Sequence, residues 1–170
     1  MPDLDQTVLN TELRALAERY AQCAQALRGD ELTSVVLFGS VARGEARPES
    51  DIDLLIICRS LPAGAFRRRA VLAPVRERLD PELERLWAQG CYTDFAEIIK
   101  TEAEAQHVAP FYLDLTEDGV LLFDRGGFFA RILDRLRARL RELGAQRRRL
   151  GTLRYWDLKP DFKPGEVIEL

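Results

Sequence analysis

Residues 35–58 read VVLFGSVARGEARPESDIDLLIIC, and the reading of this stretch decides the fold. Val35 to Phe38 is a short apolar run rich in β-branched residues, and Ile52 to Cys58 is a second. Such runs, bounded by turn-forming residues, predict two strands flanking a polar loop. Side chains two apart on a strand point the same way. Asp51 and Asp53 therefore present two carboxylates on one face, with Ile52, Leu54 and Ile56 turned to the other. Carboxylate oxygens suit a hard divalent ion such as Mg²⁺, which keeps several waters and takes further ligands from substrate phosphates. Gly39 lets the backbone approach a ligand closely, and Ser40 adds a hydroxyl and an N–H for phosphate oxygens.

Gly39-Ser40, ten intervening residues, then Asp51-Ile52-Asp53 between two apolar runs resembles the signature of the DNA polymerase beta-type nucleotidyltransferase superfamily. The fuller string, Gly39 to Ala46 leading into Ser50-Asp51-Ile52-Asp53-Leu54-Leu55, is similar to its small prokaryotic branch, the minimal nucleotidyltransferases. A hairpin with two solvated aspartates would need the Gly-Ser turn and the same-face acids to coincide by accident. The resemblance implies an α/β (α+β) palm: a small mixed or antiparallel sheet, helices mainly on one face and carboxylates on the other. It implies Mg²⁺-dependent transfer of a nucleoside monophosphate, AMP from ATP, to an acceptor hydroxyl with release of pyrophosphate. Asp51, Asp53 and a third acid would be the catalytic metal ligands, with Gly39, Ser40 and Arg43 beside the phosphates.

The superfamily places its third acid between apolar neighbours on a strand next to the Asp-x-Asp strand. Tyr92 to Lys100 reads as that strand, and Ala96-Glu97-Ile98 fits the description. Asp94, between Thr93 and Phe95, stands near the strand entrance. Three residues apart, the two point to opposite faces, so only one can join Asp51 and Asp53. Glu97 is taken ahead of Asp94 and of a site in which neither ligates metal, since related small proteins can lack the third acid. By analogy within the branch, the acceptor is a partner protein of the HEPN ribonuclease-toxin kind, silenced by adenylylation or by binding. Transfer to a small molecule ranks lower, because so short a chain leaves little room for a substrate domain. The contrasting class is a non-catalytic antitoxin or assembly module that keeps the fold and acts by contact.

The chain has 170 residues, 46% hydrophobic and 31% charged, enough for one sizeable core. The palm is expected over 1–124, with a C-terminal helix and docked extended tail over 125–170 as part of the same domain. No apolar run reaches membrane-spanning length and the N-terminus lacks a basic, then apolar, leader, so the expected compartment is the cytoplasm. Three scattered cysteines and the single His107 speak against a zinc site or a disulfide scaffold. From Arg125 onward, 12 basic and 6 acidic residues give net +6, against net −9 for the rest. Its arginines alternate with leucines and no aromatic platform runs beside them, which favours a solvated helix face over nucleic-acid binding.

Leu9, Leu13, Leu16, Ala17, Tyr20, Ala24 and Leu27 recur at helical spacing, so a helix over 5–28 is expected to cover the sheet. Pro62 and Gly64 open a basic helix in which Arg67, Arg68 and Arg69 read as solvated, and Pro74 should kink or restart it. Asp80-Pro81 looks like a helix start and Gly90 a stop, with Trp87 in the core beside Leu83 and Leu86. Thr101 and Glu104 have capping-box spacing. Residues 110–115 predict a helical turn and 119–124 a last strand. Phe128, Ile132, Leu133, Leu136, Leu140 and Leu143 form the stripe of a long helix that could pack on the sheet or on a second copy. Tyr155, Trp156 and Phe162 predict a docked, extended tail.

Overall fold

The computed structural model describes residues 6–151, 153–163 and 166–170. The N-terminal Met1-Pro2-Asp3, the expected helix start at Asp5 and the second Lys-Pro step at Pro164 lie outside the described residues. The chain runs α1 (Gln6–Arg28), β1 (Leu32–Phe38), α2 (Gly39–Ala42), β2 (Ile52–Cys58), α3 (Ala65–Ala88) and β3 (Phe95–Thr101). It continues through α4 (Glu102–Ala105), α5 (Tyr112–Asp118), β4 (Val120–Asp124), α6 (Phe128–Leu143), β5 (Gln146–Leu150) and β6 (Leu153–Asp157).

The first four strands form one mixed sheet in the order β3-β2-β1-β4. β1 is antiparallel to β2 and β4, and β2 is parallel to β3. Alternation along β1 and β2 splits the core in two. Val35, Leu37, Ile52, Leu54, Ile56 and Cys58 meet the apolar stripes of α1 and α3 on one face. Val36, Leu55 and Ile57 meet α5 and α6 on the other. Both sheet faces are thus covered, a fuller layering than helices mainly on one face. The stripe of α6, with Phe129, Ile132, Leu133 and Leu136 buried, packs on the sheet of its own chain. It is not free for the self-association that the sequence left open.

Three local expectations are corrected. The segment 65–88 is one continuous helix containing both Pro74 and Pro81, so neither proline restarts it. Leu72, Val75, Leu79, Leu83 and Leu86 form a single buried row across both prolines. Burial of about 1.5–3 kcal/mol per such side chain outweighs a helix penalty of about 3 kcal/mol per proline. Trp87 is 43% exposed, and its indole N–H donates to the Thr93 carbonyl at 2.8 Å. The tail is not simply extended: β5 and β6 pair as an antiparallel hairpin. Of its aromatics, Trp156 packs against the second core cluster, while Tyr155 and Phe162 are 43% and 50% exposed.

Candidate active site

The loop between β1 and β2 is tied down at several points. The Glu45 N–H donates to the Ser40 carbonyl (2.9 Å) and the Ala46 N–H to Asn10 Oδ1 of α1 (2.9 Å). The Tyr92 N–H donates to the Pro48 carbonyl (2.7 Å), so the approach to β3 closes on the same loop. This delivers Gly39 opposite the entrance of β2, where Phe38 pairs with Asp53. A Cβ on Gly39 would lie 1.9 Å from Asp53 Oδ2, and Gly39 adopts φ +71°, which side chains rarely accept. The carboxylate of Asp53 therefore occupies the space that glycine leaves.

Asp51 and Asp53 lie at the uncovered end of the face that Leu55 and Ile57 continue under α5 and α6. Asp51 is exposed, and its Oδ1 accepts the Asp94 backbone N–H at 3.3 Å. Asp53 is half-buried; burial first, then the neighbouring Asp51 charge, raise its carboxyl above the ordinary value, while Arg43 pulls it back. Arg43 is thereby placed within electrostatic reach of the pair. Its Nε donates to Glu45 Oε2 at 2.9 Å and its Nη1 lies 3.9 Å from Asp118 Oδ2. Ser40, next to Gly39 in the chain, lines a cavity with Arg43. Gly39, Ser40, Arg43, Asp51 and Asp53 are thus brought together.

Glu97 is not brought together with them, and this corrects its placement as the third metal ligand. In the parallel register Asp53 pairs with Ala96 and Glu97 pairs with Leu54, so Glu97 points to the α1–α3 face. Its side chain is 3% exposed; it accepts from the Tyr20 hydroxyl and lies 3.5 Å from Arg76 Nη1. Burial and the Glu97 charge push the Tyr20 phenol well above its ordinary pKa. Asp94 sits beside Asp51 through its backbone, but its carboxylate is held by Arg76 Nη2 at 2.6 Å and by the Phe95 N–H at 2.7 Å. Among the described residues no three His, Cys, Asp or Glu side chains converge as metal ligands. Arg76 and Tyr20, which hold these acids, carried no sequence signal, because an arginine or tyrosine on an amphipathic helix reads as surface or core.

The donor set nevertheless fits a magnesium ion. Two carboxylates side by side, one packed into a glycine cradle and one exposed, supply hard oxygens and leave room for water and phosphate. The sequence pattern of a nucleotidyltransferase domain matches residues 18–112, which hold every one of these groups. The chain belongs to the nucleotidyltransferase domain family. A Methanocaldococcus jannaschii protein named "Putative protein adenylyltransferase" is 30% identical to this nucleotidyltransferase over 134 residues, covering 79% of the chain and 84% of the relative. A second M. jannaschii protein of the same description is 35% identical over 51 residues, 30% of the chain and 52% of that protein. Among solved structures, a Sulfolobus solfataricus protein described as a "putative nucleotidyltransferase" is 22% identical, covering 74% of this chain and 93% of that one, with a TM-score of 0.45. The complex of a tri-AMPylated Shewanella oneidensis HEPN toxin with an MNT antitoxin is matched at 11% identity, 78% and 92% coverage and a TM-score of 0.43.

Proposed function

We propose that this nucleotidyltransferase moves AMP from ATP to a hydroxyl on a protein acceptor, with Asp51 and Asp53 holding Mg²⁺. The observation that carries the reading is the fit of Asp53 into the space above Gly39, with Asp51 beside it and Ser40 and Arg43 adjoining. In the reaction, the acceptor oxygen bonds to the α-phosphorus, the bond to the β-phosphate bridging oxygen breaks, pyrophosphate departs and the hydroxyl proton passes to solvent. Magnesium, when bound, would neutralise the triphosphate and stabilise charge on the attacking and leaving oxygens. The chain's own contribution is positioning: Gly39 fixes the Asp53 carboxylate, while Ser40 and Arg43 offer donors to the departing phosphates. The name carried by the M. jannaschii relative supports a protein acceptor, and a HEPN-type toxin is the partner class to test first.

A second reading is a module that binds nucleotide and partner without transfer. It is favoured by one observation, the engagement of both further acids, Glu97 with Tyr20 and Arg76 and Asp94 with Arg76. Calorimetry with Mg²⁺-ATP and transfer of α-labelled ATP to a co-expressed HEPN-type protein separate the two. Transfer abolished by Asp51→Asn/Asp53→Asn supports the enzyme. Tight nucleotide binding with no label on any acceptor supports the module, and absence of Mg²⁺-ATP binding ends the enzyme reading.

A further inference from the structure

The β5–β6 hairpin folds against the loop between β1 and β2, where Arg154 pairs with Glu45. Strand alternation and the pairing of Arg147 with Trp156 and Arg149 with Arg154 put these four residues on one hairpin face, with Arg148 and Tyr155 on the other. Arg147, Arg149 and Arg154 line a cavity of about 610 Å³ together with Ser40, Arg43 and Arg47 of the signature loop. Two carboxylates, Glu45 and Asp114, also reach the cavity. Glu45 accepts from both Arg43 and Arg154, and these donors pull its carboxyl down to about 2. Glu45 pairs with Arg43 and Arg154, and Asp114, Glu117 and Asp118 pair with Arg147, which leaves Arg47 and Arg149 as the lining arginines without an ion pair among the described residues.

Two features of the hairpin have no account in its own packing. Arg149 and Arg154 stand directly opposite each other, and like charges so placed destabilise a strand pair. Arg149 Nε reaches only the Gly151 carbonyl, at 2.7 Å, and forms no ion pair among the described residues. Arg147, by contrast, is anchored to Asp118 and Glu117. A multivalent anion seated between the strands and the loop would reverse the sign of the Arg149–Arg154 opposition and give Arg149 a charged acceptor. No aromatic side chain joins the arginines in the cavity lining, as a stacked nucleobase would need.

We propose that the hairpin completes a polyphosphate-binding site, in which Arg149 and Arg154 grip the β- and γ-phosphates of the nucleotide or the pyrophosphate formed from them. The identity of that polyphosphate rests on the nucleotidyl-transfer reading. Arg149 and Arg154 are then binding residues supplied from outside the matched domain, 96 and 101 residues after Asp53 in the chain.

The test is calorimetry of inorganic pyrophosphate, Mg²⁺-ATP, AMP and a single-stranded RNA with the full chain, Arg149→Gln, Arg149→Gln/Arg154→Gln and Arg148→Gln, the last removing the same charge from the opposite hairpin face. Pyrophosphate affinity is expected to fall at least tenfold in the double variant and severalfold in Arg149→Gln, with Arg148→Gln within twofold of the parent and AMP unaffected throughout. An equal loss for ATP places the nucleotide's own tail in the cavity; a loss for pyrophosphate alone places the product there. Absence of pyrophosphate binding, an unchanged double variant, or an equal loss in Arg148→Gln overturns the proposal. A greater loss for single-stranded RNA than for pyrophosphate overturns it in favour of nucleic acid. If Mg²⁺-ATP fails to bind while pyrophosphate binding depends on Arg149 and Arg154, the transfer reading falls and the anion site stands; the converse result removes the anion site alone.

Discussion

At the scale of single residues, Gly39 and Glu97 mark what the site demands and what it does not. Gly39→Ala puts a methyl group where Asp53 Oδ2 now lies and forces a left-handed backbone, at a cost of about 1–2 kcal/mol from the dihedral alone. The expected result is a lower urea midpoint and at least a tenfold loss of Mg²⁺-ATP affinity, because the carboxylate must leave its cradle. Asp53→Asn in the same assay should lose the metal-dependent affinity without the backbone cost. Glu97 behaves oppositely. Its carboxylate is buried against Tyr20 and Arg76, so Tyr20→Phe removes a donor and should destabilise the fold by about 1–3 kcal/mol in urea unfolding. Glu97→Gln should likewise lower stability while leaving Mg²⁺-ATP affinity within a few fold. A folded Glu97→Gln protein that no longer binds Mg²⁺-ATP would return Glu97 to the metal site.

At the scale of elements, α4 shows how a local signature is joined to a distant one. Thr101 and Glu104 form the capping box that their spacing announced, with Oγ1 accepting the Glu104 N–H at 3.2 Å and Glu104 Oε2 accepting the Thr101 N–H at 2.9 Å. The sequence read Arg68 as solvated, but its guanidinium forks onto both oxygens of Glu104, at 2.7 and 2.8 Å. Arg68, followed by the Thr101 backbone N–H, holds the Glu104 carboxyl down at about 2, below its ordinary 4.5. A depressed carboxyl contributes stability above the unfolded value that is lost as pH falls through the folded one. Unfolding free energy should therefore decline between about pH 4.5 and 2, and Arg68→Ala should flatten that decline. With Glu104 partly exposed, solvent screening keeps the change to about 1 kcal/mol or less. Acid titrations monitored by circular dichroism on both proteins would read it.

At the scale of the whole molecule, the charge asymmetry resolves as a fold-back. The basic C-terminal segment returns to the acidic body through Arg154 with Glu45 and Arg147 with Asp114, Glu117 and Asp118. α6 seals the second sheet face, where Phe129 is fully buried and meets Tyr112 edge-on at 5.1 Å. Phe129→Ala should cost about 3–5 kcal/mol in chemical denaturation, although the residue touches none of the candidate site groups. The sequence by itself determined the two central strands, the same-face aspartates, the covering helix α1 and the family. These rest on period-two and period-3.6 patterns and on a spacing of ten residues, all carried by neighbouring positions in the chain. Only the tertiary structure decided which face Glu97 occupies, because a register shift of one residue between parallel strands reverses every side chain and leaves local patterning unchanged. It alone decided that two prolines sit within one helix, since a buried row contributed by distant strands outweighs their local penalty. It alone paired the arginine-rich strands at the C-terminus, whose composition carries no strand signal and whose Arg147 and Arg154 find their partners more than 25 residues away in sequence.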